Sequence, residues 1–273
     1  MSGSVDVKRL SLNQITTENW SLAEAIEGCL RQDIETISIW RHKIADIGLK
    51  ESSRLIRESG LKVSSVCRGG MFPALSASER SERIEDNKRA IEEAAELGTE
   101  VLVLVCGPSP HKDLAESRKW VQEGIEAILP FAQQHGVKLG IEPLHPMFAA
   151  DRSVITTLAE ANDLKSRIGS DQVGVIVDVF HVWWDPYLYE EINRANGNIL
   201  GFHVSDWKVP IIDLFMGRSL MGEGVIDIPR IRNAVEQNGY HGPIEVEIMN
   251  KELWEMPGDD NLALIKKAFA QHV

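Results

Sequence analysis

Four short apolar stretches each carry ionisable residues where apolar strands rarely hold any. They read Leu-Gly-Ile-Glu142-Pro-Leu-His145, Val-Ile-Val-Asp178-Val-Phe-His181, Leu-Gly-Phe-His203-Val-Ser-Asp206 and Ile-Glu245-Val-Glu247-Ile. A charge is seldom buried without a partner or a metal. Taken one at a time, Glu142, Asp178, His203 and Glu247 would each be read as a satisfied structural residue. Together, one on each of four successive apolar runs, they point to a common centre. Three carboxylates at one centre repel one another unless a cation sits between them. Three oxygens and one imidazole suit a divalent ion such as manganese, magnesium or cobalt, with positions left open for water or substrate. Glu245 shares a face with Glu247, because strand side chains alternate with period two. Glu247 lies nearer the carboxyl end and is assigned as the ligand. Glu245 is expected deeper, hydrogen-bonded inside the fold.

His145, His181 and Asp206 each follow a proposed ligand by three residues, a spacing that carries them out onto the rim. A neutral imidazole there can act as general base or donate to a substrate hydroxyl; the alternative is that it orients a ligand. Arg152 and Lys208 are also near the rim, where a solvated role is the default. The chain has 7 Trp although Phe, Trp and Tyr together make only 6% of it. Trp40, Phe72, Trp183, Trp184, Trp207 and Trp254 all follow strand-like runs, and their faces suit sugars and flat aglycones. His181, Asp206, Arg152, Trp183 and Trp40 are the substrate-binding candidates.

The elements that must position these groups alternate along the chain. Short strand-like runs fall at 10–15, 34–40, 61–67, 101–106, 138–144, 173–179, 199–204 and 243–249. Helical patterns fall between them at 21–30, 50–59, 78–97, 116–135, 153–168, 186–195, 229–237 and 261–272. Ser21 with Glu24 has capping-box spacing, and Gly60, Gly98, Gly136 and Gly169 stand where helices should stop. Pro186 suits a first helical turn. Near-continuous apolar strands alternating with amphipathic helices mark a parallel sheet covered by helices. Eight such units over residues 1–273 predict an α/β fold, a single (β/α)8 TIM barrel, whose typical length is about 250 residues. Such barrels place their reacting groups at the carboxyl ends of strands, where the ionisable residues stand. The stretch 207–227 is long and irregular, as lids are.

Composition excludes other classes. Of the 273 residues, 43% are apolar and 26% charged, which is ordinary globular usage. The net charge of -12, with no Lys/Arg run, argues against nucleic acid and anionic membranes as partners. Cys29, Cys67 and Cys106 are too few and too scattered for a disulfide framework. No apolar run has signal-peptide character or approaches the ~18 residues of a membrane span, so a cytoplasmic location is expected. Phosphate-cradling glycine loops and a Ser-His-Asp elbow are absent.

Nearly the whole chain resembles the xylose isomerase-like barrel superfamily, the sugar phosphate isomerase/epimerase group. The motifs that carry this are Ile-Glu142-Pro, Val-Asp178-x-x-His181, Gly-Phe-His203-Val-Ser-Asp206, Gly222-Glu-Gly224-x-Ile-Asp227 and Tyr240-x-Gly242 leading to Glu247. The resemblance implies that Glu142, Asp178, His203 and Glu247 bind the metal. In the ketose 3-epimerases of this group, the two glutamates also exchange the substrate proton. Two positions depart from those epimerases. Phe148 stands where a second glutamate follows the first by six residues, and Val209 where an arginine follows the strand-seven histidine by six.

The segments Pro-Leu-His145-Pro-Met-Phe-Ala-Ala-Asp151-Arg152 and His181-Val-Trp-Trp-Asp185-Pro look like those of the larger, catalytic subunit of bacterial C-glycoside deglycosidases. That resemblance implies cleavage of the C–C bond between a 3-oxo sugar and its aglycone, with manganese and a smaller β-sheet partner subunit. The shared chemistry is enolate formation beside a metal-bound carbonyl. For the lyase, His145 is the candidate base or acid, with a glutamate ligand, Glu142 or Glu247, as its rival. The alternatives are a ketose or sugar phosphate isomerase or 3-epimerase, an endonuclease disfavoured by the acidic charge, and a non-catalytic sugar-binding barrel. An oligomer is expected.

Overall fold

The apolar runs become strands because both of their faces are covered. Val101–Val105 shows how: Leu102 and Leu104 join the main core, while Val103 packs with Cys67 and Ile176 in a smaller cluster. Side chains alternate across a strand, so one face meets helices and the other meets the interior of the sheet. The structure, a computed structural model, describes residues 5–273.

Eight parallel strands close into a barrel. They are β1 (Leu10–Asn13), β2 (Thr36–Trp40), β3 (Lys62–Gly70), β4 (Val101–Val105), β5 (Lys138–Glu142), β6 (Val173–Asp178), β7 (Ile199–Val204) and β10 (Ile244–Val246). β10 pairs with β1 on one side and β7 on the other, which leaves the sheet without an edge. Two further strands, β8 (Asp206–Trp207) and β9 (Arg218–Ser219), form a separate antiparallel hairpin. The (β/α)8 expectation is met. The irregular stretch 207–227 is partly ordered by that hairpin.

The helices start and stop where local chemistry dictates. Ser21 and Glu24 form a full capping box ahead of Leu22–Arg31. Gly60 and Gly136 end Leu49–Ser59 and Leu114–His135 in left-handed conformation, with φ of 74° and 69°. Several boundaries differ from expectation, three of them for a visible reason. The helix predicted from 153 begins at Leu158, because Ser153 bridges to Gly107 and Ile155 accepts from the Leu144 amide. The helix predicted from 186 begins at Leu188, because Asp185 Oδ1 accepts from the Tyr187 amide and holds a turn there. The last barrel strand ends at Val246, since the Ile248 amide leaves the ladder to donate to Thr16 Oγ1.

Register places the ionisable residues. In the ladder, Asp178 stands beside His203, and His203 beside Glu245. Parallel neighbours point the same way, so all three face the barrel interior. Glu247 lies two residues past Glu245, on the same face and one step nearer the mouth. Cys29, Cys67 and Cys106 are buried and free. Among the described residues no helix is long and apolar enough to cross a membrane.

Candidate metal centre

Glu142, Asp178, His203 and Glu247 converge: one ligand atom from each lies within 4.8 Å of all the others, and all four residues are buried. His203 Nδ1 is 3.2 Å from Glu142 Oε1 and 3.7 Å from Glu247 Oε2. Glu142 Oε1 and both His203 nitrogens are buried without a properly aligned hydrogen-bond partner. Buried polar atoms are almost always paired, so Glu142 Oε1 and His203 Nδ1, which face each other at the centre, fit a divalent cation, and the cluster could hold one.

A supporting layer fixes the ligands. Glu245 lies deeper, as its position in the strand predicts. Its Oε1 accepts from Ser64 Oγ at 2.8 Å and Ser65 Oγ at 2.7 Å, and its Oε2 accepts from Asn13 Nδ2 at 3.1 Å. That same Oε2 faces His203 Nε2 at 3.3 Å. The carboxylate thereby holds the far side of the imidazole and leaves Nδ1 to the centre. Asn13 also donates to Glu247 Oε1 at 3.4 Å and accepts from Trp40 Nε1 at 2.7 Å. Asp178 Oδ1 accepts from the Phe180 amide at 2.9 Å and caps the short helix Val179–Val182.

Sequence reasoning missed Arg218. It is buried, and it enters the centre from β9. Its Nη1 donates to Asp178 Oδ2 at 2.7 Å and Glu247 Oε2 at 3.1 Å, and its Nη2 meets His181 Nε2 at 3.0 Å. Phe180 lies under the guanidinium, 4.6 Å from its carbon. Val209, at the position where related epimerases carry arginine, is 66% exposed. The arginine signal lay instead inside the stretch read as a lid, where no strand pattern tied it to the centre.

The charges are uneven. Burial pushes the Glu142 carboxyl up to about 7 despite the pull of His203. Burial works the same way on Glu247, but Arg218 and His203 outweigh it and hold that carboxyl below its usual range. Burial opposes a charge on His203, and Glu245, Glu142 and Glu247 together overcome it. His181 is held down to about 3, by burial first.

The cavity above the centre is lined by Glu142, Glu247, His181 and Arg218, with Arg68 and Arg152 on its wall and Trp40, Phe148, Phe215 and Met249 as apolar faces. Of the four candidate ligands, the two glutamates are the ones that reach it. The other predicted site residues divide. His181, Arg152 and Trp40 line this cavity. His181 is buried rather than on the rim, and its Nδ1 accepts from the His145 amide at 3.2 Å. His145 stands outside the lining, its ring 5.4 Å from Trp184 and 5.2 Å from Trp207, with Nδ1 accepting from the Met147 amide. Trp183 packs 5.6 Å from Trp207 and is not part of this lining. Asp206 turns into its own loop, accepting from the amides of Trp207, Gly222 and Ile226 at 2.8, 2.9 and 3.0 Å.

Known proteins share this architecture. The crystal structure of protein SMc04130 from Sinorhizobium meliloti 1021 superposes with a TM-score of 0.94 at 46% identity, covering 97% of this chain and 98% of that one. A crystal structure of the IolI protein with a bound zinc atom superposes with a TM-score of 0.84 at 22% identity, covering 95% of each chain. Inosose isomerase of Bacillus velezensis is 23% identical over 270 residues, 95% of each chain. Residues 23–269 match the xylose isomerase-like TIM barrel family, and the chain belongs to that family.

Proposed function

We propose that this chain is a divalent-metal-dependent enzyme that moves a proton beside the carbonyl of a keto-sugar, as an isomerase or epimerase does. The observation that carries this reading is that Glu142 and Glu247 share the metal cluster and also line the cavity, from strands separated in the barrel by β6 and β7. Glu142, Asp178, His203 and Glu247 would hold the ion, and when bound it polarises a substrate carbonyl and makes the neighbouring C–H acidic. The two glutamates bind substrate oxygens at the cavity floor, and a carboxylate oxygen of one takes the proton while the other can return it. Arg218 and Asn13 fix the carboxylate of Glu247. The apolar walls of Trp40, Phe148 and Phe215 restrict water. His145, outside the lining, is replaced by the glutamates as the proton carrier. The names of the inosose isomerase relative and of zinc-bound IolI support the class of chemistry and the divalent ion; manganese is our choice of ion.

The test is exchange of solvent deuterium into inosose and ketoses by manganese-loaded protein. Chelation, Glu142→Gln and Glu247→Gln should each abolish exchange; full activity in a metal-stripped preparation, or in Glu247→Gln, refutes the reading. A second reading, cleavage of 3-oxo-C-glycosides, uses the same proton abstraction. The aromatic side chains of Trp40 and Phe148, which line the same cavity as the glutamates, favour it, since an aglycone would pack against them. Release of free aglycone from a 3-oxo-C-glucoside, with manganese and a small β-rich partner subunit supplied, selects it.

A further inference from the structure

Three guanidinium groups, those of Arg68, Arg152 and Arg218, line one cavity. Only Arg218 is neutralised, by Asp178 and Glu247. Arg68 and Arg152 make no side-chain hydrogen bond or ion pair among the described residues, and Arg152 Nε is buried with no partner at all. An arginine that is merely solvated keeps its donors in water. Arg152 instead lies against aromatic rings, its guanidinium carbon 4.0 Å over Phe215 and 5.9 Å from Phe148. Stacking covers the face of the fork and leaves its in-plane N–H groups free, the geometry for a bidentate anion. Both residues sit on firm supports. Arg68 is within β3, and Arg152 is pinned by the Gly107 amide donating to its carbonyl at 3.0 Å beside the Gly107–Ser153 bridge. Burial first, with the like charges of Arg68 and Arg218, disfavours the charge on Arg152 and outweighs the pull of the neighbouring Asp151. Two unpaired cations held together on a cavity wall cost free energy that an incoming anion recovers.

We propose that Arg68 and Arg152 form an anion clamp, and that the substrate of this site carries an anionic substituent, a carboxylate or a phosphate, bound on the wall above the metal cluster. The clamp deepens the proposed function and rests on it for the keto-sugar skeleton; the clamp itself is a binding property and is measured as one. The manganese-loaded full chain is titrated calorimetrically with two matched pairs, D-ribulose 5-phosphate against D-ribulose and D-fructuronate against D-fructose. At least one charged member should bind tenfold or more tightly than its neutral partner. Preference within the first pair alone assigns a phosphate, within the second alone a carboxylate. Arg68→Met and Arg152→Met, which keep apolar stem length and remove the charge, should each shrink the preference at least several-fold, by weakening the charged member far more than its neutral partner, and leave metal affinity unchanged. Arg152→Lys should restore part of it. Equal binding of charged and neutral members by the wild type, or a preference that survives both Met variants, overturns the clamp. Charge preference without any deuterium exchange would instead overturn the proton-transfer reading and leave the clamp standing.

Discussion

Arg218→Met tests how the centre balances its charge. The guanidinium touches Asp178 Oδ2 at 2.7 Å, Glu247 Oε2 at 3.1 Å, the Glu247 carbonyl at 3.2 Å and Ser205 Oγ at 3.4 Å, all buried. Removing one member of a buried ion pair leaves the other charge uncompensated and costs about 3–5 kcal/mol. For a chain of this size each kcal/mol moves Tm by about 2 °C, so the chelator-stripped variant should melt roughly 6–10 °C below wild type. Saturating manganese should close most of that gap, because a divalent ion neutralises the same carboxylates. The variant should also bind manganese more tightly. A competing cation has left, and even about 1.4 kcal/mol of relief is a tenfold gain. Differential scanning fluorimetry with and without chelator gives the first quantity, and isothermal titration gives the second. A stripped variant that melts within 2 °C of wild type, where the scaling above predicts several times more, refutes the ion-pair reasoning. A fall in manganese affinity refutes the competition and makes Arg218 an organiser of the ligands.

Three further predictions follow from the supporting layer and the hairpin. Glu245→Gln removes the carboxylate behind His203 Nε2 and should weaken manganese binding by about 10–100-fold with the fold intact, read by titration and circular dichroism. His181 has a folded pKa of about 3, below the ordinary value of 6.5, so the unfolded chain takes up the proton first. Its stabilising contribution is present above pH 6.5 and is lost as pH falls towards 3. By pH 5 that loss is about 2 kcal/mol, and His181→Gln should flatten the denaturation profile of the stripped protein between pH 6.5 and 5. Asp206→Ala deletes three backbone anchors of the hairpin loop at a cost of about 2 kcal/mol or more. It should open residues 207–227 to limited proteolysis under conditions that are expected to leave wild type intact.

What the sequence reveals and what it hides follow from the range of the forces involved. Strand-by-strand patterning is local, so eight apolar runs and the capping signals at Ser21, Gly60 and Gly136 are legible one segment at a time. The metal cluster is legible for a related reason. Glu142, Asp178 and His203 sit on strands and Glu247 one residue past the last, strands alternate faces with period two, and a closed parallel sheet forces same-face residues of Asp178, His203 and Glu245 into one row. Arg218 escapes that logic. It arrives from a two-residue strand in a hairpin, and its place depends on Asp206 fastening amides 16 and 20 residues away. No periodicity encodes such a connection. The rim residues fail in the same way: a spacing of three past a ligand takes His181 under Arg218, His145 among tryptophans and Asp206 into its own loop, because beyond a strand end the local turn, and not the pleat, sets direction. Asp178 caps a helix at Phe180 and turns His181 inward, whereas His145 itself caps the turn Pro146–Phe148 and keeps its ring outside the cavity lining. The chemistry of the floor is therefore fixed by the barrel, and the selectivity of the walls by loops whose side chains each answer to a different backbone.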